Sequence, residues 1–145
     1  MDKHARILVV DDDESIRNTL KVLLEDEGYI VDAVATGREG IERTEETAYN
    51  VALIDIRLPD IEGVELLKLM KDAVPKTRKI IVTGYPSMQN AITALNKNAD
   101  AYMIKPIDVE KLLNAVKEQI KLQENEREFS EQKIAEFIET RVKEL

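Results

Sequence analysis

Three aspartates follow directly after two short apolar segments. Asp11 and Asp12 come after segment 7–10, Ile-Leu-Val-Val, and Asp55 comes after segment 51–54, Val-Ala-Leu-Ile. Short runs rich in β-branched residues are typical of buried parallel strands, and ligands bind at the carboxyl edge of such sheets. Carboxylates gathered at one edge raise each other's pKa unless a cation neutralises them. Because Mg²⁺ prefers oxygen ligands, the three aspartates predict a magnesium site.

A hydroxyl and an ammonium group are predicted at the same edge. A third strand-like segment, 79–82, ends at Thr83, and a fourth, 101–104, ends at Lys105. The metal and Lys105 could neutralise the oxygens of a phosphoryl group while Thr83 donates a hydrogen bond to it. One carboxylate is then left as a nucleophile that can form an acyl phosphate. The chemistry that these residue types predict is therefore metal-assisted phosphoryl transfer.

The elements that must position these residues alternate between strand and helix. Another strand is predicted at 30–34. Helices are predicted from 13 or 14 to about 28, through 41 to about 47, over 64–74, from 86 to about 96, and from 109 to about 120 with Asp108 as the cap. Five strands, each followed by a helix, predict an α/β fold. It is a doubly wound parallel sheet with helices on both faces and right-handed crossovers.

Composition limits the class of protein. The chain has 145 residues, which suits one domain, and no cysteine, which excludes disulfides and zinc–thiolate sites. No apolar run approaches the roughly 18 residues of a membrane span, and no signal-peptide pattern follows the charged start, so a cytoplasmic protein is expected. The net charge is −8, from 21 basic and 29 acidic residues. We therefore expect no direct nucleic-acid partner and no membrane partner.

Four motifs together resemble the response-regulator receiver domains of bacterial and archaeal two-component signalling. They are Ile-Leu-Val-Val-Asp-Asp-Asp at 7–13, Leu-Ile-Asp-Ile-Arg-Leu-Pro-Asp at 53–60, Val-Thr-Gly-Tyr-Pro at 82–86 and Tyr-Met-Ile-Lys-Pro at 102–106. The resemblance covers about residues 4 to 120, with the motifs in the family's order and spacing. It implies the strand order 2-1-3-4-5 of flavodoxin-like and CheY-like sheets, which the pattern of elements alone does not fix.

The resemblance also implies a role for each residue of the acidic cluster. Asp55 matches the phosphoacceptor, which takes a phosphoryl group from the phosphohistidine of a sensor histidine kinase or a phosphotransfer protein. Asp12 would touch Mg²⁺ directly, and Asp11 would hold it mainly through water. The backbone carbonyl of Arg57 would supply another metal ligand. On this interpretation the domain is not an enzyme, but a phosphoacceptor that catalyses only its own phosphorylation and dephosphorylation.

Three further residues match positions that bind or respond to the phosphoryl group in this family. Lys105 matches the lysine that pairs with the phosphoryl group, and Lys105-Pro106 is a candidate cis peptide. Thr83 matches the switching hydroxyl. Tyr102 matches the aromatic residue that turns inward once the hydroxyl is drawn to the phosphoryl group. The implied function is a phosphorylation-dependent switch in partner or self interaction.

Two other classes of protein use part of this residue set. A haloacid-dehalogenase-type phosphatase also forms an aspartyl phosphate with Mg²⁺, but its nucleophile lies on the first strand, and the isolated Asp55 is on the third. A pseudo-receiver binds partners without phosphorylation and usually lacks one of the five site residues of the family. All five are present here: Asp11, Asp12, Asp55, Thr83 and Lys105. A purely structural alternative is that Asp11, Asp12 and Asp13 serve as helix caps, but one helix needs only one cap.

The C-terminal region has its own pattern. We place a receiver domain at 1–120 and a helical extension at 121–145, because the region after Pro106 contains no glycine or proline. The extension is too short for a DNA-binding domain. It could serve in a homodimer, fold onto its own domain, or link to a further domain. Its apolar residues form a short heptad-like stripe: Ala135, Ile138, Val142 and Leu145, with Ile134 and Phe137 beside it.

Overall fold

The computed structural model describes residues 5–70 and 75–144, with side chains described up to residue 141. Its five strands are parallel and lie in the order β2-β1-β3-β4-β5, which confirms the predicted sheet. The strands are β1 (Arg6–Val10), β2 (Ile30–Val34), β3 (Val51–Asp55), β4 (Arg78–Thr83) and β5 (Ala101–Ile104). The helices are α1 (Glu14–Asp26), α2 (Gly37–Glu46), α3 (Gly63–Leu69), α4 (Met88–Asn96) and α5 (Val109–Glu144).

Two apolar clusters pack on the two faces of the sheet. Alternate residues of β1 point to opposite faces, so Ile7 and Val9 belong to one cluster while Leu8 and Val10 belong to the other. Helices α1 and α5 cover the first face, and α3 and α4 contribute to the second. All four of these β1 side chains are fully buried. Burial on both faces explains why the central strands read as continuous apolar runs.

Helices α3 and α4 do not have the boundaries that were predicted for them. The fourth helix begins at Met88 rather than Pro86, because the Ser87 hydroxyl accepts a hydrogen bond from the backbone N–H of Asn90 and caps the helix. The third helix was predicted to reach residue 74. It ends at Leu69, where Met70 adopts an extended backbone and buries its side chain. The rest of that prediction, residues 71–74, lies outside the described residues.

Helix α5 is one continuous element of 36 residues, and it contacts the domain body beyond the predicted boundary at residue 120. The amide of Gln123 is only 3% exposed. Its oxygen accepts from the Asn50 side chain at 2.8 Å, and its nitrogen donates to the Lys76 carbonyl at 2.9 Å. Arg78 donates to Glu126 at 2.9 Å. The body therefore holds α5 as far as Glu126.

The rest of α5 projects from the body with apolar side chains in solvent. Phe129, Ile134, Phe137 and Ile138 are each more than half exposed. The predicted stripe also includes Val142 and Leu145, whose side chains lie outside the described residues. Among the described residues, no helix combines the length and apolarity that crossing a membrane requires.

Candidate functional site

The sheet brings the three predicted aspartates together at its carboxyl edge. Asp11 follows β1 and Asp55 ends β3, and these strands pair with Val10 opposite Ile54. One carboxylate oxygen from each of Asp11, Asp12 and Asp55 lies within 4.8 Å of the others. Asp11 is 2% exposed and Asp55 7% exposed, whereas Asp12 is exposed to solvent. The adjacent strand ends thus create the predicted acidic cluster.

Lys105 lies between the two buried aspartates. Its Nζ donates to Oδ2 of Asp11 at 2.9 Å and to Oδ2 of Asp55 at 3.2 Å. The peptide between Lys105 and Pro106 is cis, as predicted. One ammonium group thus faces two buried carboxylates.

The balance of burial and charge shifts the pKa values at this site. Burial raises the pKa of the Asp55 carboxyl, and the nearby charge of Asp11 raises it further, against the opposing effect of Lys105. Burial alone would lower the pKa of Lys105, but its hydrogen bonds and charge interactions with Asp11 and Asp55 outweigh burial and raise it. The site therefore has a deficit of positive charge.

The oxygen atoms at this cluster fit a hard divalent cation. Oδ1 of Asp55 is buried and has no hydrogen-bond partner among the described residues. Both carboxylate oxygens of Asp11 are occupied, by the backbone N–H of Asp13 at 2.9 Å and by Lys105. Asp12 and Asp55 thus offer the free oxygens, while the direct role of Asp12 and the indirect role of Asp11 at the metal stay predictions. The predicted role of the Arg57 carbonyl stays a prediction.

Thr83 and Tyr102 lie on the two strands that follow β3 in the sheet, β4 and β5. Thr83 ends β4 and is fully buried, and its hydroxyl oxygen accepts from the backbone N–H of Tyr85 at 2.9 Å. Within the described part of the chain, the hydroxyl proton of Thr83 has no acceptor and is available for donation. Tyr102 packs against the cluster that contains Ile81 and Ala94, with its hydroxyl buried and unpartnered in the described part of the chain. The Tyr102 ring is therefore turned inward, and its coupling to Thr83 stays a prediction.

Tyr102→Phe should raise the free energy of unfolding by about 1 kcal/mol, because it removes a buried hydroxyl for which the described residues offer no partner. The matched control is Tyr49→Phe. The buried Tyr49 hydroxyl donates to the Asp32 carboxylate at 2.6 Å, so its loss should instead cost about 1.5–3 kcal/mol. Urea unfolding of both variants measures the two signs. Equal losses in both would show that the Tyr102 hydroxyl has a partner in solution.

A cleft of about 560 Å³ opens above the acidic cluster. The guanidinium group of Arg57 stacks on the Tyr85 ring, 3.8 Å from the centroid, and joins the loops that follow β3 and β4. The sequence did not predict this contact, because it joins two loops that are distant in the chain.

The sequence also gave no indication that Asp60 binds the N-terminus of α2. An aspartate after proline is an ordinary turn residue, so nothing marked it out.

Comparison with known proteins places the chain in one family. The family model for the response regulator receiver domain matches residues 7–117. The transcriptional regulatory protein ZraR of Klebsiella oxytoca is 40% identical over 106 residues, which are 73% of this chain and 24% of ZraR. The uncharacterized transcriptional regulatory protein YkoG of Bacillus subtilis is 34% identical over 111 residues, which are 77% of this chain and 49% of YkoG. The chain thus spans half or less of these relatives.

Solved structures agree with this assignment. A CheY-like receiver domain protein from Methanospirillum hungatei is 47% identical, with a TM-score of 0.78 over 84% of this chain and 98% of that one. The beryllofluoride-activated receiver domain dimer of NtrC4 is 36% identical, with a TM-score of 0.76 over 81% of this chain and 98% of that one. The chain belongs to the response regulator receiver domain family of two-component systems.

Proposed function

We propose that the chain accepts a phosphoryl group on Asp55 from a sensor histidine kinase or a phosphotransfer protein, in a reaction that requires Mg²⁺. One observation carries most of the argument. Asp55 holds a buried oxygen without a partner among the described residues, beside two further carboxylates and one lysine. In a purely structural ion pair this oxygen would be expected to have a partner, since buried polar groups are normally hydrogen-bonded. The family to which the chain belongs supports the same function.

The reacting groups divide the work as follows. An oxygen of Asp55 attacks the phosphorus, a new P–O bond forms, and the P–N bond of the phosphohistidine breaks with its electron pair left on the imidazole. Lys105 is close enough to Asp55 to pair with the oxygens of the transferred group, and Thr83 can donate its hydroxyl proton to another. Mg²⁺, when bound, supplies charge neutralisation on the phosphoryl oxygens. Asp12 and Asp55 are the residues best placed to hold it.

On this proposal the domain turns over no external substrate and acts as a phosphoacceptor, not as an enzyme. The phosphatase alternative predicts rapid release of phosphate from the small donor acetyl phosphate in the presence of Mg²⁺. The pseudo-receiver alternative predicts no adduct. A receiver predicts one phosphoryl group for each chain, seen as a single mass increment of the intact protein. The position of Asp55 at the end of β3 supports the receiver, because the phosphatase pattern places the nucleophile on the first strand.

We further propose that the projecting part of α5 pairs with the same segment of a second copy. About 17 residues follow Arg127 in α5 and extend about 26 Å, a length at which an isolated helix is marginal in water. Covering Ile134, Phe137 and Ile138 would remove exposed apolar surface. The activated receiver domain of NtrC4 is described as a dimer, which supports pairing in this family without specifying the surface.

Shortened chains can separate two roles of α5, its packing against the domain body and the proposed pairing with a second copy. A chain that ends at Arg127 should keep its stability and become monomeric, whereas the full chain should show twice its own mass in sedimentation or light scattering. A chain that ends at Ile120 should also unfold more easily, by about 1–3 kcal/mol, because loss of Gln123 leaves the groups of Asn50 and Lys76 unpaired. If the full chain is a monomer with and without phosphorylation, the extension is a linker or docks on another protein.

A further inference from the structure

The loop after Asp55, residues 56–62, closes tightly on itself. The backbone N–H of Gly63 donates to the carbonyl of Ile56 at 2.7 Å, and Arg57 pairs with Glu62 as an antiparallel bridge. A Cβ atom at position 63 would overlap the backbone carbonyl of Asp55. The loop therefore returns directly behind Asp55, and its shape decides where the backbone of Arg57 lies.

The tip of this loop is fastened to α2 through Asp60. Its Oδ1 accepts from the backbone N–H of Gly37 and its Oδ2 from that of Arg38, both at 2.9 Å. These are the first two N–H groups of α2, which cannot find partners within the helix. The backbone N–H groups of Arg38 and Gly37 hold the pKa of the Asp60 carboxyl below its ordinary value, because they bond to its charged form. A negative charge at this end of a helix is favourable.

The helix that receives Asp60 is itself fixed to the sheet. A Cβ on Gly37 would overlap the Ile61 side chain, and one on Gly40 would lie 3.1 Å from the side chain of Val10. Val10 directly precedes Asp11. Helix α2 therefore packs closely on β1 just before Asp11, while its N-terminus holds the loop that follows Asp55.

We propose that Asp60 is a positioning residue for the metal site. Its hydrogen bonds attach the loop that contains Arg57 to the N-terminus of α2. The loop is thereby fixed relative to the carboxylates at the carboxyl ends of β1 and β3. The inference rests on the proposed function, because it takes the aspartate cluster to be a Mg²⁺ site. Asp60 lies three residues beyond Arg57 and acts through the loop backbone. It does not belong to the cluster of Asp11, Asp12 and Asp55.

Titration of the metal-free protein with Mg²⁺, without any phosphodonor, tests the inference. Amide chemical shifts of residues 11–13 and 56–63 report binding. Asp60→Ala should weaken Mg²⁺ affinity about tenfold, the low end of the effect for residues that orient a ligand. Asp60→Asn keeps one acceptor oxygen and should lose less. Hydrogen exchange of the Gly63 amide, measured without metal, should accelerate in Asp60→Ala, because the loop is then held only at its base.

Thr36→Ala is the matched control. Its hydroxyl caps the same helix by accepting from the backbone N–H of Glu39, and among the described residues its side chain forms hydrogen bonds with Glu39 and not with the loop. This variant should keep the Mg²⁺ affinity and the Gly63 exchange rate of the parent. If the folded Asp60→Ala protein binds Mg²⁺ as tightly as the parent, the role of Asp60 is refuted and the proposed function is unaffected. The same holds if Thr36→Ala loses as much Mg²⁺ affinity as Asp60→Ala. A parent that binds no Mg²⁺ would contradict the metal site of the proposed function together with the inference.

Discussion

Asp55→Asn should abolish phosphorylation by acetyl phosphate or by a histidine kinase, because the amide cannot act as the nucleophile. Incorporation of labelled phosphate in the presence of Mg²⁺ measures the effect. The fold should survive, since the change is nearly isosteric and takes place at the rim of the sheet. Asp13→Asn is a suitable comparison, because the Asp13 side chain caps α1. The Asp13→Asn protein should still be phosphorylated at Asp55. Full labelling of the Asp55→Asn protein would refute the assignment.

The same substitution should stabilise the metal-free protein at neutral pH, by about 1 kcal/mol or about 3 °C in melting temperature. Burial raises the pKa of Asp55, so the folded state disfavours its ionised form. The advantage of asparagine is therefore complete above the raised pKa and disappears as the pH falls towards the ordinary aspartate value. Asp12→Asn should stabilise less, because Asp12 is exposed. Thermal unfolding at several pH values measures both effects.

Lys105→Met should destabilise the metal-free protein by about 3 kcal/mol, because it leaves Asp11 and Asp55 as buried charges without their cation. Added Mg²⁺ should recover more stability in this variant than in the parent, since the metal replaces part of the lost positive charge. Phosphorylation should also slow markedly. Urea unfolding with and without Mg²⁺ gives the first two quantities, and the rate of labelling gives the third.

A surface ion pair provides the control for Lys105. Lys97 lies 3.1 Å from Glu65, with the two side chains 23% and 46% exposed, so Lys97→Met should cost less than about 1 kcal/mol. The pKa of Lys105 is raised. Its stabilising effect is therefore complete below the ordinary lysine value and is lost only as the pH rises through the raised one. Similar losses in both variants would show that Lys105 is not essential to the charge balance of the cluster.

The strand ends of the site could be predicted from the sequence, because each buried strand is an apolar run that stops at a polar residue. Parallel strands expose their carboxyl ends along one edge, so Asp55, Thr83 and Lys105 had to meet once the strands were identified. The order of the strands came from the resemblance, since alternation of strands and helices is compatible with several orders. The structure confirmed that order.

Contacts that depend on side chains distant in sequence could not be predicted. Gln123 reads as an ordinary polar residue on a helix, yet it is buried against Asn50, 73 residues earlier. Asp60 reads as a turn residue, yet it binds the N-terminus of a helix 22 and 23 residues earlier. The start of α4 was misplaced for a local reason. Proline is common in the first turn of a helix, but the Ser87 hydroxyl caps the chain just after Pro86.

The identity of the phosphorylated residue is the most direct test of the proposed function. The protein is treated with acetyl phosphate and Mg²⁺, the acyl phosphate is reduced with borohydride, and the digested chain is mapped by mass spectrometry. Reduction converts a phosphorylated aspartate to homoserine and leaves free carboxylates unchanged. We predict homoserine at position 55 and at no other aspartate. Homoserine at Asp11 or Asp12, or no reduced residue in a protein that binds Mg²⁺, would contradict the account.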